Sequence, residues 1–196
     1  MQIPEFDAKT ALIVVDVQND FAAHEGSLYV QDSERMVPEL NALIRAAKAT
    51  NALIVYTQDW HPETTSHFQK DGGTWPVHCV KGSWGARFHP ELVLDGLVVR
   101  KGSGGEDGYS GFSVREPGSG TTHATELERL LRERGVERVI VVGLATDWCV
   151  KHTALDAERL GFSTTVVADA TRAVNLAPGD GKKALSELAS AGIEVV

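Results

Sequence analysis

The chain has 196 residues, of which 42% are hydrophobic and 23% charged, and its formal net charge is −8. That length and balance suit a single globular domain over 1–196, and the acidic surplus argues against nucleic acid or an anionic membrane surface as the main partner. No basic segment followed by an apolar stretch marks a signal peptide, no apolar run is long enough to span a bilayer, and two cysteines, Cys79 and Cys149, make no disulfide framework, so a reduced, cytoplasmic protein is expected.

Residues 11–16, Ala-Leu-Ile-Val-Val-Asp, form a near-continuous apolar run that ends in a carboxylate. A strand buried on both faces of a parallel sheet has that composition. The spacing of Met36, Val37, Leu40, Leu43, Ile44 and Ala47 predicts a helix over 33–50, with Pro38 near its start, where a missing N–H is tolerated. A second strand over 52–57 empties into Gln58-Asp59-Trp60-His61-Pro62. Residues 62–96 show little periodicity and are rich in Gly, Pro, His and Trp; a loop of that length in a compact domain is usually functional. A third strand, 97–100, leads into Lys101 and a Gly-rich stretch over 102–108. The latter lacks the Lys-Ser/Thr of a phosphate loop and reads as a flexible lid. A helix is expected over 121–134, capped by Thr121 or Thr122 and stopped by Gly135.

Val139 to Val142 is short, β-branched and bounded by Gly143, which predicts a fourth strand. It runs into a helix whose cap is Thr146 or Asp147 and whose apolar face is Val150, Ala154, Leu155 and Ala157. Cys149 then falls in the first turn, where unpaired N–H groups and the helix dipole favour a thiolate. On this segment alone Cys149 is equally a nucleophile or a small packed side chain. A fifth strand over 164–168, a helix over 180–191 and a last strand over 193–196 complete the pattern. The alternation predicts an α/β fold: one doubly wound domain with a mainly parallel six-stranded sheet flanked by helices on both faces. No internal repeat or linker divides it.

In such a sheet ligands bind beyond the carboxyl ends of the strands, and Asp16, Asp59, Lys101 and Cys149 all lie at or just past such ends. A thiol needs a base or a positive neighbour to attack at neutral pH. Asp16 is suited to accept its proton, Lys101 to hold Asp16 and favour anions, and the backbone N–H groups around Ala145 and Cys149 to bind a developing oxyanion. A second constellation is Asp59-x-His61, His67 and His78: four potential ligands within 20 residues, a set that suits one divalent zinc, iron or manganese ion. Cys79 competes with His78 as a ligand, but with Val77 and Val80 it reads as packed. Phe21, Trp75 and Tyr109 are candidates to line a pocket for a flat aromatic ligand. His24, His89, His123 and His152 default to structural or surface roles.

Read together, Val15-Asp16-Val17-Gln18-Asn19-Asp20-Phe21, Gln58-Asp59-Trp60-His61, Ser66-His67-Phe68, Trp75-Pro76-Val77-His78-Cys79, Lys101-Gly102, Tyr109-Ser110-Gly111-Phe112 and the segment 143–150 resemble the nicotinamidase/pyrazinamidase branch of the isochorismatase-like cysteine hydrolases. The segments occur in family order and span nearly the whole chain. The resemblance implies Cys149 as nucleophile, Asp16 as general base and acid, and Lys101 as third member. It implies a metal on Asp59, His61, His67 and His78, and a substrate ring packed on Phe21 and Trp75. It also implies an oxyanion site at Ala145 and Cys149, with a cis peptide between Leu144 and Ala145. The implied reaction is nicotinamide plus water giving nicotinate and ammonia through a thioester, so the partner is a small aromatic amide rather than nucleic acid or membrane. The chain departs from the family pattern at Ala22-Ala23-His24-Glu25, at Trp148 and at the acidic pair Glu106-Asp107. Two other readings fit the residues: a related cysteine hydrolase for another small amide or carbamoyl substrate, and a non-catalytic metal-binding or redox-sensing protein.

Overall fold

A computed structural model describes residues 3–196. In chain order the regular elements are β1 (Thr10–Val15), α1 (Asn19–Ala22), α2 (Val37–Ala49), β2 (Leu53–Asp59), β3 (Leu97–Lys101), β4 (Ser113–Arg115), β5 (Thr122–Ala124), α3 (Leu127–Glu133), β6 (Arg138–Leu144), α4 (Lys151–Arg159), β7 (Ser163–Arg172), α5 (Asp180–Ser190) and β8 (Glu194–Val195). Six strands form one sheet in the order β3-β2-β1-β6-β7-β8, every neighbouring pair parallel. The chain winds outward from β1 to β3, returns to the centre at β6 and winds outward the other way. The topological switch point therefore lies between β1 and β6, where a crevice opens beyond the strand ends.

All six residues of β1 are buried. Because strand side chains alternate in direction, Leu12 and Val14 join a core with Leu40, Leu43, Ile44 and Ala47 of α2. Ala11, Ile13 and Val15 join the opposite core with Leu127 and Leu131 of α3, Ala154 and Ala157 of α4, and Leu188 of α5. This double burial is why the first strand reads as a continuous apolar run. Among the described residues no helix is long and apolar enough to cross a membrane.

Three expectations need correction. The helix predicted over 121–134 begins at Leu127; Thr122–Ala124 is instead β5, antiparallel to β4. A tight turn brings the Glu116 N–H to the Thr121 carbonyl at 2.9 Å, and β-branched Thr122 suits the strand. The Thr125 hydroxyl, rather than Thr121 or Thr122, accepts the Leu127 N–H at 3.2 Å. The fifth strand runs well past Ala168 to Arg172, with a register shift opposite Val141 and Gly143. The stretch 102–108 is not a free lid. The Thr65 hydroxyl donates to the Gly105 carbonyl at 2.6 Å, and Asp107 and Arg115 exchange backbone hydrogen bonds of 2.8 and 2.9 Å.

Gly143 sits at the strand end that delivers Cys149. Its φ is +107°, and a Cβ there would lie 2.2 Å from the Val15 carbonyl oxygen. Gly143→Ala is therefore expected to cost about 3 kcal/mol or more in folding free energy, read as a lowered denaturation midpoint. A midpoint equal to the parent's would show that β1 and β6 do not approach as closely as described.

Candidate active site

Four neighbouring strands each carry one group to the same sheet edge. Lys101 ends β3, Asp59 ends β2, Asp16 follows β1, and Cys149 follows β6. Asp59 and Lys101 are register partners across β2 and β3. Asp16 has φ +50°, an uncommon backbone for a residue with a side chain.

The Lys101 ammonium, only 1% exposed, lies 2.7 Å from Asp16 Oδ2 and 2.5 Å from Asp59 Oδ1 and donates to the Gly108 carbonyl. It also lies 3.8 Å from Cys149 Sγ. The thiol, acid and amine read from the sequence therefore do meet. The Thr57 hydroxyl donates to Asp16 Oδ1 at 2.6 Å, a contact that nothing in the local sequence signals.

Burial disfavours each charged form, and the neighbours decide the outcome. Burial raises Asp16 above the ordinary carboxylate value, against the pull of Lys101. Asp59 meets the same burial, but Lys101, His61 and His78 hold it well below that value. Burial works to lower Lys101, yet the two carboxylates raise it well above an ordinary amine, so it stays an ammonium.

Cys149 does not occupy the first turn of an α-helix as expected. Thr146–Val150 forms a π-helical turn, in which Val150 N–H donates to the Ala145 carbonyl at 3.0 Å, and α4 starts only at Lys151. Such turns often mark functional sites. Nor is a resting thiolate favoured: burial, with Asp16 and Asp59 nearby, pushes the thiol well above its ordinary value, and Lys101 only partly offsets this. A nucleophilic role for this sulfur would therefore require it to lose its proton as it reacts. The Leu144–Ala145 peptide is cis, as the resemblance implies, and Ala145 and Cys149 both line the adjoining cavity.

The imidazoles of His61, His67 and His78 are buried, each offering a nitrogen within 4.8 Å of the others. Asp59 Oδ2, the oxygen not used by Lys101, lies 3.5 Å from His61 Nε2 and 3.8 Å from His78 Nε2. Both His61 nitrogens are buried without a hydrogen-bond partner, an arrangement costly for a polar group unless something else satisfies it. His78 Nδ1 is 2.7 Å from the Pro76 carbonyl and His67 Nδ1 is 2.7 Å from Asp107 Oδ1. With Nδ1–H donating in each, Nε2 keeps its lone pair. Burial also holds His67 below the ordinary imidazole value, against the pull of Asp107, favouring the neutral ring that a metal needs. The donor set fits one divalent ion. Cys79 is fully buried outside this group, as its apolar neighbours suggest.

A cavity opens onto both halves of the site. Phe21, Trp75 and Tyr109 line it, as read from the sequence, and so does Trp148. Trp75 Nε1 donates to the Tyr109 hydroxyl at 2.9 Å, and Trp148 packs edge-on against Trp75 with ring centres 4.8 Å apart. Burial pushes the Tyr109 phenol up to about 12, so it remains protonated. His152, assigned no partner from sequence, stacks on the outer side of this wall, 5.5 Å from the Tyr109 ring. His123 pairs with Glu116 at 2.9 Å on the exposed hairpin.

Residues 10–196 match the isochorismatase domain. Over 191 residues the chain is 40% identical to the nicotinamidase/pyrazinamidase of Mycobacterium tuberculosis, covering 95% of this chain and 97% of that one. It is similar in structure to the pyrazinamidase of Pyrococcus horikoshii in complex with zinc, at 41% identity and a TM-score of 0.85, covering 96% of this chain and 98% of that one. It is likewise similar to PnC1 from L. infantum in complex with nicotinate, at 36% identity and a TM-score of 0.89, covering 100% of this chain and 96% of that one. A shared sheet order is a weak criterion of kinship, but a match across nearly the full length at these identities is not, and the chain belongs to the isochorismatase family.

Proposed function

We propose that this chain is an amidohydrolase that cleaves nicotinamide, and the related pyrazinamide, to the acid and ammonia through a thioester on Cys149. The observation that carries the reading is the buried junction of Lys101 with Asp16, Asp59 and Cys149 on the wall of an aromatic cavity. The nicotinate bound to the L. infantum relative supports a flat pyridine ligand for that cavity.

Asp16 takes the thiol proton as Cys149 Sγ bonds to the amide carbon, and the carbonyl π pair moves onto oxygen. The backbone amides of Ala145 and Cys149 hold the resulting oxyanion. Asp16 returns its proton to the nitrogen, the C–N bond breaks, and ammonia leaves a thioester. Asp16 next accepts a proton from a water whose oxygen attacks that thioester, and the sulfur departs and regains the proton. Asp16, raised by burial, is suited to carry a proton in both half-reactions, while Asp59, held anionic, is not. Lys101 keeps Asp16 oriented and stabilises the anions formed beside it. Phe21, Trp75 and Tyr109, with Trp148, pack on the ring and exclude water. Asp59, His61, His67 and His78 would hold one divalent ion, which we assign as zinc on the zinc in the P. horikoshii relative. When bound, it would supply a Lewis-acid centre for a ring nitrogen of the substrate.

Cys149→Ala is expected to lower ammonia release from nicotinamide at least ~10³-fold, while elemental analysis still finds one metal per chain. Retained turnover removes Cys149 as nucleophile, and a coupled ammonia assay that responds only to aliphatic or carbamoyl amides replaces nicotinamide with the related-hydrolase reading. His61→Ala is expected to lower the metal-to-protein ratio and raise KM for nicotinamide. An unchanged ratio takes His61 out of the ligand set.

The state of the thiol is testable directly. With its pKa raised above the ordinary 9.0, Cys149 is uncharged at neutral pH and gains charge only as pH rises past that value. The rate of iodoacetamide alkylation, corrected with the Cys149→Ala variant, should therefore still be climbing at pH 9.0. A plateau reached at lower pH would mean a resting thiolate.

A further inference from the structure

Asp107 belongs to neither the proposed acid–thiol pair nor the proposed ligand set, yet it touches the latter. Its Oδ1 lies 2.7 Å from His67 Nδ1, and its side chain is 15% exposed against 4% for the imidazole. The three histidines differ in what holds them. His78 Nδ1 meets the neutral Pro76 carbonyl, and His61 has no hydrogen-bond partner on either nitrogen. Asp107 is thus the carboxylate that pairs with an outward-facing histidine nitrogen in this cluster.

The backbone presents Asp107 rather than leaving it on a loose loop. Its N–H and carbonyl pair with Arg115 at 2.8 and 2.9 Å, and Arg115 Nε lies 3.9 Å from its other carboxylate oxygen. Two residues back, the Gly105 carbonyl takes the Thr65 hydroxyl at 2.6 Å, and the same Thr65 oxygen accepts the His67 N–H at 3.1 Å. At the start of the segment, Gly102 lies so close to His61 that a Cβ would stand 2.5 Å from its Cε1. Immediately after Asp107, the Gly108 carbonyl accepts from Lys101. One short segment therefore braces two histidines and the buried lysine.

We propose that Asp107 is a positioning residue for metal binding: it fixes the tautomer and orientation of His67 and strengthens that ring as a ligand. A carboxylate behind a ligating histidine commonly contributes a factor of about 10–100 in metal affinity. The inference rests on the metal reading of the histidine cluster. Without a metal, the same contact would be an ordinary buried pair whose loss weakens the fold.

The test measures zinc affinity of the full chain, stripped of metal and titrated in competition with a chromogenic chelator, for the parent, Asp107→Ala and Asp107→Asn. The melting temperature of each metal-free protein is measured alongside. Asp107→Ala should weaken zinc binding about 10–100-fold. Asp107→Asn, which retains an acceptor but no charge, should fall between it and the parent, with the three metal-free melting temperatures alike. Equal zinc affinity in all three proteins overturns the role of Asp107 while leaving the metal site standing. A lowered metal-free melting temperature in both variants, with affinity unchanged once the proteins are folded, makes the contact structural and also overturns it. A parent that binds no zinc overturns the metal reading and this inference together.

Discussion

The structure turns on one buried cation. Lys101, 1% exposed, donates to Asp59 Oδ1 and the Gly108 carbonyl and stands 2.7 Å from Asp16 Oδ2 in an ion pair. Removing an ammonium from water costs several kcal/mol unless its partners are well placed, and here two carboxylates and a carbonyl surround it. The two carboxylates share this neighbour but differ elsewhere. Asp16 has the Thr57 hydroxyl and little other relief from burial, whereas Asp59 also faces His61 and His78. Burial therefore leaves Asp16 the more easily protonated, while Asp59 remains an anion. Two carboxyl groups on one amine, pushed apart by their surroundings, divide into one that protonates more readily and one held as an anion.

Charge balance ties the two halves of the site together. One ammonium against two carboxylates leaves a negative excess in a dry environment, and the cluster adds Asp107 on its far side. Asp59 spans the halves, with Oδ1 on Lys101 and Oδ2 toward the histidines. A divalent cation at the histidines would offset this excess, which gives a reason for the acid–amine junction and the histidine cluster to lie side by side.

The scaffold makes the arrangement reproducible. Parallel strands β3, β2, β1 and β6 are consecutive in the sheet, so their carboxyl ends stand in a row at the spacing of hydrogen-bonded neighbours. Gln18 secures one of these ends by exchanging hydrogen bonds of 2.8 Å with both the N–H and the carbonyl of Asp59. The aromatic wall of Trp75, Tyr109 and Trp148 then closes the crevice, with an internal hydrogen bond satisfying the indole N–H that would otherwise be buried unpaired.

Much of this was legible in the residues themselves. The doubly buried strands announced a parallel sheet because a side chain packed on either face must be apolar, and such a sheet places Asp16, Asp59, Lys101 and Cys149 at one edge whatever the loops do. The histidine cluster was visible because four potential ligands fall within 20 residues. The sequence was misleading where local preference competes with long-range pairing, as at Thr122–Ala124, whose strand partner lies across a turn. It was silent on Thr57, on the contribution of Trp148 to the pocket wall and on the pairing of Asp107 with His67, since each matters only through a neighbour distant in the chain. Nor could it give the ionisation of Cys149, which local helix chemistry would set toward a thiolate and burial beside two carboxylates sets the other way. Residue types and their periodicity depend on nearest neighbours along the polymer, and so the sequence determined the sheet, its reactive edge and the donor set. Charge states and orientation depend on what surrounds a group in three dimensions, and those the tertiary structure alone decided.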